Sequence, residues 1–337
     1  MRTDPCLIAL ANRKARETTP NADPMELIAE GKVGTFDPSG EKWIRDMADV
    51  GVDVGVNLIT DFAGGHGWVG DNPALSIEAM HEEYAAIGAR YPGKFFNVAG
   101  VNPHRRDAPA LLERSIKEWG AVGLKLLPYT GFYPDDQACY KLYEKCLELG
   151  IPVFIHTGSA FMGYAKYARP MYIEQPAKDF PKLEFIMAHA GGGIGHLWEE
   201  ACTVGRSAPN VHLELAQYAP TVIKGGFLGS KGKYRDHTAE FLDVLDIMRN
   251  MLPGGCQNII FGSDYPTYPL ETYKAWCELF LDLPAVAASH GYDFSQEEAD
   301  LMCYQNAIRL LNLDIDDPSS PVDDGRSDLT PTVSSSS

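Results

Sequence analysis

The sequence of 337 residues has no apolar run approaching the roughly 20 residues that cross a bilayer, so no membrane span and no membrane partner are expected. It also has no run of Lys and Arg. With a net charge of -17, it offers no concentrated basic face for a phosphate backbone, which excludes nucleic acid as the expected partner. The seven cysteines, at 6, 139, 146, 202, 256, 277 and 303, form no Cys-x-x-Cys pair. Their odd number does not suit a complete disulfide framework, so a reducing, cytoplasmic compartment is expected. Arg13, Lys14 and Arg16 are followed by no apolar stretch, so no secretory leader is expected either.

What the chain does have is a regular alternation. Apolar, β-rich runs near 52–59, 95–101, 122–127, 152–155, 183–188, 211–215 and 258–262 are separated by segments of helical pattern near 74–91, 107–119, 136–149, 171–179, 195–206 and 236–251. Further helices are expected near 4–16, 41–50, 269–281 and 296–311. Strands alternating with helices predict parallel βαβ units, and 45% hydrophobic content is enough for a large core. The expected fold is a TIM-type (β/α) barrel forming one domain over 1–313, followed by an acidic, Ser-rich tail at 314–337 that should be disordered. Seven strands are counted where a closed barrel has eight, and the shortfall lies at the N-terminal end, so the first strand is expected to be missing or distorted. An unfilled gap would leave backbone groups unpaired and expose core, which would favour a homo-oligomer.

Three strand ends carry polar residues suited to chemistry. Pro152-Val-Phe-Ile155 runs into His156-Thr-Gly158, Leu183–Ala188 runs into His189-Ala-Gly-Gly-Gly193, and 258–262 runs into Ser263-Asp264-Tyr265-Pro266. In a parallel barrel such ends converge on one face, and two imidazoles with a carboxylate suit a metal or an acid/base site. Lys125, flanked by leucines in Gly123-Leu-Lys-Leu-Leu127, can point into the barrel by strand alternation. Tyr164, Tyr167 and Arg169 lie on a loop at the same face and suit a flat carboxylated substrate. His66 and Trp68 read as a loop cap, the segment 224–233 as a mobile lid, and His81, His104, His196, His212, His237 and His290 as structural.

Gly123-Leu-Lys-Leu-Leu-Pro128, Gly131-Phe-Tyr-Pro-Asp-Asp136, Gly150-Ile-Pro-Val-Phe-Ile-His-Thr-Gly158, Ala188-His-Ala-Gly-Gly192 and Phe261-Gly-Ser-Asp-Tyr-Pro266 occur in this order. Together with Asp46–Val52 and Asn306–Leu311, they resemble the amidohydrolase-related family that includes aminocarboxymuconate semialdehyde decarboxylase and aromatic-acid decarboxylases. The resemblance spans about 40–313. It implies hydrolysis or non-oxidative decarboxylation of a small carboxylated, ring-derived substrate. It also implies one divalent metal, zinc as a rule, held by a His-x-His pair on the first strand together with His156 and Asp264. His189 would polarise or position the metal-bound water or the substrate, Asp264 would share the catalytic role, and Lys125, Arg169 and Tyr164 would bind substrate.

The sequence has no His-x-His. The simplest expectation is a chain that begins just downstream of the family's first strand. Asp4 and Cys6 standing in for the pair is a second explanation. A barrel that has lost its metal and serves binding or assembly is the third.

Overall fold

The computed structural model describes residues 23, 26–27, 37, 39–62, 76–158, 164–192, 197–224, 237–268 and 270–315. The helix expected at 4–16, residues Asp4, Cys6, His66 and Trp68, the lid beyond Lys224 and the tail from 316 on lie outside them.

Seven parallel strands form one sheet in sequence order: β1 (Gly55–Leu58), β2 (Phe95–Gly100), β3 (Leu124–Leu126), β4 (Val153–His156), β5 (Phe185–Ala188), β6 (Val211–Glu214) and β7 (Ile259–Ile260). Around it lie α1 (Glu41–Asp49), α2 (Ile77–Arg90), α3 (Ala108–Lys117), α4 (Gln137–Leu149), α5 (Glu174–Asp179), α6 (Leu197–Ser207), α7 (Ala219–Lys224), α8 (His237–Met251), α9 (Leu270–Leu281), α10 (Leu283–Ser289), α11 (Gln296–Asp300) and α12 (Asn306–Leu311). The architecture is the TIM-type α/β fold expected, curled as a partial barrel among the described residues.

Strand alternation divides the core in two. Leu124, Val153, Ile155, Phe185, Met187, Val211, Leu213 and Ile259 face the helices, where they meet residues such as Leu142, Tyr143, Phe241 and Trp276. Val98, Phe154, Ile186 and Ile260 point the other way, into the barrel. There they pack with Leu310, Leu311 and Leu313 from the C-terminal end, and the partly buried Val56, Leu58 and Ile315 join them. Each fully buried side chain of this size contributes about 1.5–3 kcal/mol, so the chain just past α12 helps to fill the barrel interior.

No ladder joins β7 to β1 among the described residues. The unpaired edge expected there is nevertheless partly satisfied. The Ile260 carbonyl accepts from Leu215 of the β6 side, which leaves residues 259 and 261 facing the seam. The Phe261 N–H donates to the Met302 carbonyl at 2.8 Å, and the Asn306 amide donates to the Ile259 carbonyl at 2.8 Å. The helix expected at 296–311 is present without a gap, and this contact sits where its winding changes. Residues Leu301–Gln305 form a π-helical turn between α11 and α12, and the Met302 carbonyl serves the sheet edge.

The helix expected at 171–179 is present as α5 over 174–179, and its first residues belong to a 3₁₀ turn, Pro170–Ile173, preceded by another at Ala165–Ala168. Pro170, which cannot donate a backbone hydrogen bond, separates the two turns.

Candidate active site

The inward parity that buries Phe154, Ile186 and Ile260 lower in the barrel brings polar residues to its mouth. Lys125 pairs in register with Phe154, His156 with Ala188, and Glu214 with Ile260. Lys125, His156, His189 and Glu214 are each 3–6% exposed. Asp264, just past β7, is half-buried, with its carboxylate hydrogen-bonded to Gln217. Lys125, His156, His189 and Asp264 are therefore brought together as expected, and Glu214 joins them.

The loops after β4 and β5 are built for this convergence. Thr157 Oγ1 donates to the Ala188 carbonyl at 3.0 Å and accepts from the Gly191 N–H at 2.8 Å, tying the two histidine loops together. Gly191 has φ +85°, and a Cβ there would crowd the Leu197 backbone, so only glycine fits. His189 and Ala190 adopt φ +73° and +42°, a conformation that costs a non-glycine residue roughly 1–2 kcal/mol. This turn aims the His189 ring at His156, centroid to centroid 4.7 Å and edge-on, and His156 in turn meets the Tyr129 ring at 4.7 Å.

Glu214 holds the strained turn. Its Oε2 accepts the His189 N–H at 2.9 Å and its Oε1 accepts the Ala216 N–H at 2.7 Å. Gly262 makes room for it, because a Cβ at 262 would overlap the Glu214 carboxylate. Sequence reading passed over Glu214 as part of an apolar strand. The available signal was a carboxylate at an inward position at the end of a barrel strand, the same signal that singled out His156.

Burial governs the electrostatics. It pushes Lys125 below a lysine's ordinary value, and the charges of Glu214 and Asp264 oppose that fall. It pushes Glu214 upward against the His189 N–H and Lys125, and raises Asp264 to about 6. Burial, His156 and Lys125 together push His189 well below the ordinary histidine value, which keeps its imidazole neutral. Lys125 Nζ and His189 Nδ1 are buried without a hydrogen-bond partner. A buried ammonium lacking an acceptor is costly unless a ligand supplies one.

Arg169 and Tyr164 are not part of this buried cluster. Arg169 is half-exposed and ion-paired with Glu200, and Tyr164 is 49% exposed with its N–H donating to the Tyr129 carbonyl. His81 and His212 are structural as expected. His81 Nδ1 bonds the Ile77 carbonyl at 2.8 Å, and His212 Nε2 lies 2.8 Å from Glu184.

Among the described residues, no three His, Cys, Asp or Glu side chains form a group that could hold a metal ion. His156 and Asp264 supply two donors, and the Lys125 ammonium beside Asp264 brings positive charge where a cation needs negative charge. The described residues therefore do not by themselves fit a metal.

The chain is 32% identical over 107 residues to a 2-keto-4-carboxy-3-hexenedioate hydratase of Sphingobium sp., a match spanning 26% of this chain and 31% of the relative, so less than a third of that relative's length is covered. It is 22% identical over 271 residues to a 2-amino-3-carboxymuconate-6-semialdehyde decarboxylase of Dictyostelium discoideum, covering 73% of this chain and 69% of the relative. Among solved structures it resembles a 5-carboxyvanillate decarboxylase of Novosphingobium aromaticivorans, complexed with manganese and 4-hydroxy-3-methoxy-5-nitrobenzoic acid. That likeness has a TM-score of 0.60 and 14% identity over 92% of this chain and 93% of the other, and it bears on the fold alone. A family model described as amidohydrolase matches residues 33–313, and the chain belongs to the amidohydrolase family.

Proposed function

We propose that the chain is a hydrolase or non-oxidative decarboxylase acting on a small carboxylated, ring-derived substrate. The observation that carries this reading is the buried Lys125 ammonium, which has no hydrogen-bond acceptor and lies within electrostatic reach of His189, Glu214 and Asp264. A substrate carboxylate supplies the acceptor that Lys125 lacks. The neutral His189 beside it is suited to move a proton. In decarboxylation the bond to the carboxyl carbon breaks and the carbon left behind takes a proton, whereas in hydrolysis water must lose one. Both reactions need a proton carrier next to the bound carboxylated substrate.

The family resemblance would make His156 and Asp264 two ligands of a divalent cation such as zinc, with Asp264 also handling protons. Further ligands would come from outside the described residues. Tyr164 and Arg169 form the outer rim, and Arg169 would have to leave Glu200 to reach a substrate. A cytoplasmic setting suits the six described cysteines, all free thiols. No helix among the described residues is long and apolar enough to cross a membrane.

The test is a substrate panel combined with elemental analysis of the purified full chain. Turnover of 5-carboxyvanillate or 2-amino-3-carboxymuconate-6-semialdehyde with release of carbon dioxide supports decarboxylation. Turnover of ring lactones with ring opening supports hydrolysis. About one equivalent of metal, lost in His156→Ala and Asp264→Asn, supports the ligand assignment, and full metal retention in both variants refutes it. The shortage of donors favours one alternative, a metal-deficient barrel of the same family used for binding or assembly. Binding of the panel carboxylates without metal and without turnover would establish that alternative.

A further inference from the structure

We infer that Glu214 is the positioning partner of His189, a carboxylate that fixes both the backbone turn and the imidazole tautomer of that residue. The inference rests on the reading of His189 as the proton carrier. Its grounds are geometric. Glu214 Oε2 accepts the His189 backbone N–H at 2.9 Å and lies 3.7 Å from Nδ1 of the same residue, so one oxygen faces both the main chain and the ring. The other oxygen is fixed by the Ala216 N–H at 2.7 Å. The missing side chain of Gly262 leaves space for the carboxylate, and Tyr218 Oη donates to the Ala190 carbonyl at 3.0 Å to hold the far side of the turn.

A carboxylate facing Nδ1 favours the tautomer that carries the proton there. The lone pair is then on Nε2, the other ring nitrogen. The distance of 3.7 Å is longer than a hydrogen bond, and such contacts commonly tighten when substrate binds. The arrangement is that of a base oriented by a third group. Glu214 itself need not touch the substrate. The buried charges facing Glu214 are Lys125 and Asp264.

The experiment is nitrogen-15 NMR of the imidazoles in the full-length chain, with His189→Asn to assign the His189 signals. The expected result is proton on Nδ1 of His189 in the unaltered chain. In Glu214→Leu no acceptor faces Nδ1, so the proton should leave that nitrogen for Nε2, with the melting temperature as the control for folding. On whichever panel substrate turns over, Glu214→Leu should lower kcat by about 10²-fold or more while KM stays within a few-fold, as expected when a base loses the group that orients it. Proton on Nε2 in the unaltered chain overturns the inference without any variant. So does a tautomer that stays unchanged in a folded Glu214→Leu protein. Retention of full turnover in His189→Asn overturns the proton-carrier reading instead and leaves the tautomer measurement interpretable, so the two failures are distinguishable.

Discussion

Tyr265 donates its hydroxyl hydrogen to the carboxylate of Asp46, joining the residue after Asp264 to helix α1 across the seam where β7 and β1 do not pair. Lys42 donates to the Tyr265 hydroxyl at 2.9 Å and also pairs with Asp46, and Asp46 is 3% exposed. Val50, Tyr273 and Cys277 form an apolar patch beside this contact, with Val52, Phe261 and Tyr265 packed against it. Among the described residues, the seam is thus bridged by side chains. Tyr265→Phe removes one partner of a buried carboxylate, which costs about 1–3 kcal/mol, or several degrees of melting temperature. It should also lower turnover, because Asp264 precedes Tyr265 directly. Thermal melts and kinetics check both, and an unchanged melting temperature would remove the seam role.

Gly262 and Glu214 make a second, steric prediction. Overpacking a filled site costs roughly 1–3 kcal/mol, and in Gly262→Ala the added methyl has to displace the Glu214 carboxylate. The His189 and Ala216 N–H groups would then lose their acceptor. Turnover should fall by at least 10²-fold, with a lowered melting temperature. Near-full activity in Gly262→Ala would show that the Glu214 position is not needed.

The strand ends were legible because a barrel strand buried on both faces is a short apolar run, and a polar residue terminating it stands out. His156, His189 and Asp264 were found on that basis, and Lys125 by parity. Glu214 was hidden because its strand reads Val-His-Leu-Glu-Leu, where His212 on the same face pairs with Glu184 and gives the alternation an ordinary structural explanation. The pairing of Arg169 was hidden for a comparable reason. The sequence shows a cation on an aromatic loop but not Glu200, thirty-one residues on, which holds it. The π-helical turn inside the last helix lies where Phe261 meets Met302, a contact between distant segments that local periodicity does not encode.

The buried carboxylates make stability depend on pH in a definite direction. Burial raises Asp264 from the ordinary 3.8 to about 6 and raises Glu214 above 4.5. The folded chain therefore holds protons that the unfolded chain has released, and stability falls with rising pH wherever the folded state binds more protons. For Asp264 the favourable contribution is intact below about pH 4 and is lost as pH rises through about 6. The gap is worth about 3 kcal/mol at neutral pH. Asp264→Asn should therefore gain stability relative to the unaltered chain between pH 4 and 7, measured by urea melts on metal-free protein. A difference that does not change with pH over that range would refute the buried, raised carboxylate.

Lys125 and Arg169 are the two cations proposed to meet a substrate carboxylate, and their surroundings predict different consequences. Lys125 is 3% exposed with no acceptor, so its interaction with a carboxylate would be formed away from water. A hydrogen bond to a charged group in such a place is worth about 1.5–3 kcal/mol, which corresponds to roughly 10- to 150-fold in binding. Lys125→Met should raise KM, or the dissociation constant of a competing carboxylate, by that factor. Lys125→Arg should not restore binding fully, because a planar guanidinium presents its donors with a different reach and geometry from an ammonium. Arg169 already pairs with Glu200 at a half-exposed position, so Arg169→Ala should change KM by only a few-fold. If Arg169→Ala weakens carboxylate binding more than Lys125→Met does, the substrate carboxylate lies at the rim and the buried ammonium serves another purpose.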